Sequence, residues 1–194
     1  PNTGGMGCIS PSPFMNDELK NTVMQKVVKP TIDGLNKLGI HYYGFMYFGL
    51  MVKDNNPKVL EFNCRLGDPE TQCLMMQMES DLVDCLTDAL KNNKVTINWK
   101  KGASMGVVIA SDGYPGRYTI NKQISFGDTK NLKVFHAGTK STNGVLQTSG
   151  GRVFSVNYHG ETLDLCSKYI YKNIEEVQFD GNIYRKDIGK IYES

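Results

Sequence analysis

The stretch Lys58-Val59-Leu60-Glu61-Phe62-Asn63-Cys64-Arg65-Leu66-Gly67-Asp68-Pro69-Glu70-Thr71-Gln72 decides how this chain is read. Upstream lie an aromatic run, residues 42–53, and the turn residues Asp54-Asn55-Asn56-Pro57. Lys58 to Asn63 is therefore the return strand of an antiparallel hairpin. Side chains alternate along a strand, so Glu61 and Asn63 share one face. Leu60, Phe62 and Cys64 share the other, an apolar face expected to meet the core. A carboxylate beside an amide carbonyl offers hard oxygen donors. That suits Mg²⁺, which takes few protein ligands and fills its shell with water and nucleotide phosphates. The plain alternative is a strand whose polar face meets solvent. Arg65 favours the metal, because a guanidinium within reach of the same site can clamp phosphate or carboxylate. Metal, oxygen ligands and an adjacent arginine make a phosphoryl-transfer site. Beyond Gly67, Asp68 suits a helix N-cap and Pro69 the first helical position. Asp68 and Glu70 are either helix-terminus charges or substrate contacts.

Working outward, Asn2-Thr3-Gly4-Gly5-Met6-Gly7 is a loop able to turn backbone N–H groups toward a ligand. It lacks the Lys-Ser or Lys-Thr of a Walker A loop. Ser10-Pro11-Ser12-Pro13 is stiff and extended. A helix follows, with Asn16 or Asp17 as N-cap and an apolar stripe through Leu19, Val23, Val27, Thr31, Leu35 and Leu38. Pro30 should kink or divide it, and Gly39 should cap it. Downstream, a helix from Ser80 or Asp81 to about Asn92 should bury Leu82, Cys85, Leu86, Ala89 and Leu90. The lysine- and asparagine-rich stretch 92–101 marks a domain boundary, giving domains 1–98 and 99–194. The second reads as short strands at 103–110, 134–138 and 152–158 with a helix over 162–173. The tail from Asn182 has no strong pattern. The fold class is α+β.

Among the 194 residues, 40% are hydrophobic, enough for a real core. The net charge of +2 comes from interspersed signs, so nucleic acid is not an expected partner. No apolar run is long enough to span a bilayer, and no membrane partner is expected. The five cysteines form no C-x-x-C pair and are read as reduced, buried thiols of a cytoplasmic protein. His41, His136 and His159 have no metal-ligand spacing and are read as structural. The chain opens on Pro1 in the middle of what looks like a ligand loop, so it is read as a piece of a longer protein.

The runs 1–7, 43–51 and 58–72 resemble the phosphoribosylamine–glycine ligase family, also called glycinamide ribonucleotide synthetase. Gly-Tyr-Pro-Gly (113–116), Val-Phe-His-Ala-Gly-Thr (134–139), Gly-Gly-Arg-Val (150–153) and Arg-Lys-Asp-Ile-Gly (185–189) look like the same family's C-terminal domain, in order. Leu66 stands where Phe is expected and Cys8 where Ala is expected. The resemblance implies the back half of an ATP-grasp domain, a mostly antiparallel sheet with helices, followed by a small β-rich C-terminal domain. It implies a ligase that joins glycine to 5-phosphoribosylamine, with ATP as co-substrate and Mg²⁺ (or Mn²⁺) as metal. By the same likeness Glu61 and Asn63 are the metal pair and Arg65 the catalytic clamp. Asn2, Thr3, Gly4, Gly5, Met6, Gly7, Gly67, Asp68 and Glu70 line the substrate side. The family's N-terminal part is expected to precede Pro1, so the isolated piece is expected to be inactive. The alternatives are another ATP-grasp carboxylate–amine ligase, a purine carboxylase, or a non-catalytic binding module.

Overall fold

Asn16 begins the first helix as expected: its side-chain oxygen accepts from the Leu19 amide at 2.8 Å. The structure, a computed structural model, describes residues 5–190. It divides into two compact units, one holding Pro11–Gly67 and the other the residues on either side of that segment.

In the Pro11–Gly67 unit, α1 (Asp17–Val23) widens into a π-helical turn (Met24–Val28) and continues as α2 (Lys29–Lys37). Pro30 sits in the first turn of α2, so the missing proline N–H divides the helix as its position foretells. Gly39 closes it at φ +70°. Leu19 and Val27 of the stripe are buried, but Leu38, beyond the last turn, is 76% exposed.

Strand β2 (Tyr47–Lys53) is shorter than the aromatic run. Gly44 at φ +135° breaks the extended path, and the Tyr42 hydroxyl donates to the Phe45 carbonyl at 2.6 Å. The turn is two residues, Asp54 and Asn55, both at positive φ, so β3 (Asn56–Asn63) already includes the buried Pro57. The pairing is antiparallel with a register shift: Gly49 faces Glu61 and Leu50 faces Val59, leaving Leu60 as the extra residue of a bulge. The expected core face is not buried here, since Leu60 is 63% and Phe62 53% exposed. A two-stranded sheet has two faces, and within this unit helical cover for β3 comes from α1.

In the other unit a five-stranded antiparallel sheet runs in the order β1 (Gly7–Ser10), β4 (Ala103–Ser111), β9 (Arg152–Gly160), β6 (Lys133–His136), with β11 (Asn182–Ile183) also pairing β4. Every residue of β4 is buried because helices cover both faces. On one side, Cys166, Ile170 and Ile174 of α5 (Leu163–Asn173) and the turn after it pack with Met105, Val107, Ile109, Phe154 and Val156. On the other lies α3 (Glu70–Gln77), whose Cys73 carbonyl accepts from the Ser104 hydroxyl at 2.8 Å. That layer is thin. A Cβ on Gly106 would stand 2.3 Å from Asn157 Oδ1 and 3.3 Å from Cys73 Sγ, so the strand needs glycine there.

Helix α4 (Leu82–Leu90) is capped by Asp81, which accepts from the Val83 amide at 2.7 Å. Of its expected core residues Cys85 is buried, whereas Leu86 and Leu90 are exposed, because α4 packs through one narrow stripe. Two short pairs complete the unit: β5 (Ile124–Phe126) with β10 (Val177–Phe179), and β7 (Thr139–Thr142) with β8 (Val145–Thr148). The cysteines are all free; Cys73, Cys85 and Cys166 are buried, Cys8 is half-buried, and Cys64 is exposed, contrary to its reading as a core thiol. Among the described residues no helix is long and apolar enough to cross a membrane.

Candidate functional site

The hairpin brings the expected metal pair together. Asn63 Nδ2 donates to Glu61 Oε1 at 3.0 Å, so the two heads share one face as the alternation requires. Gly49 makes this possible. A Cβ there would lie 2.8 Å from Glu61 Cγ and 3.6 Å from Oε1, so the opposing strand has room for the glutamate only as glycine. The donor set fits Mg²⁺: one carboxylate and one amide, both hard, on a face open to water and phosphate oxygens. Turning the Asn63 amide end for end presents its oxygen beside the carboxylate. Among the described residues no group of three or more His, Cys, Asp or Glu side chains gathers as a self-sufficient metal cage. Arg65 follows on the exposed surface, with Nη1 donating to the Leu66 carbonyl at 2.9 Å.

The second cluster lies in the other unit. Asn2, Thr3 and Gly4 fall outside the described residues. Gly5 is at φ +76°, Met6 is buried, and Gly7 opens β1 opposite Val107. Gly67 is buried at the end of the hairpin unit. The expectation for Asp68 and Pro69 needs correction. Helix α3 starts at Glu70, Pro69 occupies the cap position, and no side chain caps the helix. The Asp68 carboxylate is engaged elsewhere: Oδ2 pairs with Arg152 Nη2 at 3.0 Å and Oδ1 accepts from Gln72 Nε2 at 2.9 Å. Glu70 is half-buried in the first turn of α3.

Motifs of the expected C-terminal domain lie around this cluster, within the same unit. Gly151 has Tyr114 and Tyr118 so close that a Cβ would come within 2.5 Å of the Tyr114 ring. The Ser111 amide donates to the Gly151 carbonyl at 2.7 Å, and the Gly138 amide to the Arg152 carbonyl at 2.9 Å. Gly7 lies under Ile188, whose side chain a Cβ would meet at 2.6 Å. The neighbouring Cys73 thiol is held above the usual thiol range, first by its hydrogen bond with Cys8 and then by burial, so it is a neutral packing group. A separate cavity of about 410 Å³, lined by Asp112, Arg117, Tyr118, Lys122 and Asp180, holds none of the residues singled out from sequence.

Two contributors escaped sequence reasoning. Gly49 was legible only as a glycine inside a strand, which often marks a close approach. Arg152 was quoted within Gly-Gly-Arg-Val, yet its signal, a charge opening an apolar strand, gave it no partner.

The family model described as phosphoribosylglycinamide synthetase, ATP-grasp (A) domain, matches residues 1–71. The one described as phosphoribosylglycinamide synthetase, C domain, matches residues 104–191. The chain belongs to the phosphoribosylglycinamide synthetase family. A phosphoribosylamine–glycine ligase of Clostridium acetobutylicum is 45% identical over 98% of this chain and 46% of its own length. The crystal structure of the phosphoribosylamine–glycine ligase of Thermotoga maritima matches with a TM-score of 0.87 and 34% identity, over 97% of this chain and 47% of that one. The biotin carboxylase domain of a thermophilic 2-oxoglutarate carboxylase shares the fold at a TM-score of 0.64 and 16% identity, over 91% of this chain and 41% of that one. The chain thus spans about half the length of the relatives it matches.

Proposed function

We propose that this chain is the C-terminal part of a ligase that joins glycine to 5-phosphoribosylamine at the expense of ATP in purine biosynthesis. The observation that carries this is the family match over both ends of the chain, with Glu61 and Asn63 side by side on the hairpin that the first match spans and Arg65 two residues beyond it in sequence. A glycine carboxylate oxygen attacks the γ-phosphorus of ATP, ADP leaves, and glycyl phosphate forms. The amine of phosphoribosylamine then attacks the acyl carbon. Inorganic phosphate leaves, the nitrogen loses a proton, and glycinamide ribonucleotide results.

Glu61 and Asn63 would hold Mg²⁺ (or Mn²⁺), which supplies charge neutralisation at the nucleotide phosphates. Arg65 holds the acceptor carboxylate and the acyl phosphate formed from it, as a planar guanidinium suits two oxygens at once. We assign Asn2–Gly7, Gly67, Asp68 and Glu70 to the substrate side. For Asp68 the pairing with Arg152 and Gln72 makes the backbone and the fixed turn, more than a free carboxylate, the contribution. We keep a boundary at 98/99, inside the gap between the two family matches, residues 72–103, although the compact units divide elsewhere, at Pro11 and Gly67. We place the enzyme in the cytoplasm.

The test is product formation by the full-length protein with ATP, Mg²⁺, glycine and phosphoribosylamine. Glycine-dependent glycinamide ribonucleotide supports the proposal. Phosphate release that follows bicarbonate in place of glycine makes the protein a carboxylase and overturns it. The isolated chain should be inactive in the same assay, since it carries about half of the relatives' length.

A further inference from the structure

We infer that Arg152 is a positioning residue, a clamp that fixes the Gly5 loop and the Asp68 turn in one geometry. The inference rests on the proposal that these two segments line the substrate side. Nη1 of Arg152 donates to the Asp68 carbonyl at 2.7 Å and to the Gly5 carbonyl at 3.4 Å, while Nη2 pairs with Asp68 Oδ2 at 3.0 Å. One guanidinium thus ties backbone 147 residues away to backbone 84 residues away.

Its own footing is rigid. Arg152 is the first residue of β9, and the next two, Val153 and Phe154, are 0% and 1% exposed. A register shift where Ala110 pairs with Arg152 places an extra residue there, and such bulges re-aim a side chain. The loop is pinned from the other side too, because the Val108 amide donates to the Met6 carbonyl at 3.1 Å. Gly5 fits only as glycine: a Cβ would lie 2.1 Å from Arg152 Nη1, and its φ is +76°. Gln72 holds the second carboxylate oxygen of Asp68, so the turn is fixed from two directions.

Stability alone does not account for this arrangement. The Arg152 and Asp68 side chains keep 28% and 47% of their exposure, and ion pairs that open to water contribute little. The geometry is better matched to precision, where a misplacement of about 1 Å costs on the order of 100-fold in rate. Lysine substitutes only in part, because a single ammonium lacks the fork that spans two carbonyls and a carboxylate.

The test uses the full-length protein with Arg152→Ala and Arg152→Lys, read by steady-state kinetics and by amide hydrogen exchange over residues 5–7 and 68–72. In Arg152→Ala the KM for glycine or phosphoribosylamine should rise about tenfold or more while the KM for ATP stays within about twofold. Arg152→Lys keeps the charge and the fold and should show a smaller rise of the same selectivity. Exchange over both segments should quicken in each variant. Unchanged exchange overturns the clamp, and faster exchange with all KM values unchanged overturns the positioning role. Wild-type protein that forms no glycinamide ribonucleotide overturns the functional reading instead, and exchange, which needs no substrate, still decides the clamp.

Discussion

Replacing Gly49 by alanine puts a methyl group where Glu61 now passes. The added carbon would stand 2.8 Å from Glu61 Cγ, about 1 Å inside an ordinary carbon–carbon contact. Gly49 is not at positive φ, so the strand backbone accepts alanine, and the relief must come from Glu61. Swinging that side chain by roughly 1 Å stretches its 3.0 Å bond with Asn63 past hydrogen-bonding range and separates the paired donors. A displacement of that size at reacting groups costs on the order of 100-fold in rate. Stability should move the other way or hardly at all, since alanine is preferred over glycine in a strand by roughly 0.5–1 kcal/mol. The assay is glycine-dependent phosphate release by the full-length protein, with the Mg²⁺ concentration for half-activation measured alongside a thermal melt. Turnover should fall about 100-fold, the metal requirement should rise, and the melt should hold. Turnover within about threefold of wild type would refute the claim that Gly49 sets the geometry of Glu61.

Ile170→Ala, at a fully buried site under the five-stranded sheet, should cost about 2–5 kcal/mol in urea unfolding. A smaller loss would mean the α5 layer repacks freely. The Tyr171 phenol, desolvated by burial, is pushed up to about 12 from an ordinary 10, and its hydroxyl donates to the Arg185 carbonyl at 2.9 Å. With the folded value raised, its contribution is fully present below pH 10 and is lost as pH climbs through 12. Thermal melts between those limits should fall with pH more steeply in wild type than in Tyr171→Phe, and equal slopes would contradict the assignment.

Local chemistry was legible where a residue acts on its own chain neighbours. Asn16 and Asp81 cap their helices, Gly39 ends α2, and alternation put Glu61 beside Asn63. The sequence failed where distant segments compete for a group. Asp68 looks like an N-cap, but Arg152, 84 residues later, takes its carboxylate. Leu60 and Phe62 look like core, but burial depends on what covers the sheet, and periodicity says nothing of that. The short strands were missed for a related reason. β1 hides in a glycine-rich run because its partner is β4, about 100 residues on. The β7–β8 hairpin was readable from its turn, Asn143-Gly144, both at positive φ.

Glu61→Ala and Arg65→Ala, made separately in the full-length protein, test the central claim most directly. Phosphate release is measured with ATP, Mg²⁺, glycine and phosphoribosylamine, and folding is checked by circular dichroism. Both side chains are exposed, so neither substitution should disturb the fold. The account predicts that turnover falls by on the order of 100-fold or more in each. Near-normal turnover in both, with the proteins folded, would mean that the hairpin is scaffold and that phosphoryl transfer is carried out elsewhere.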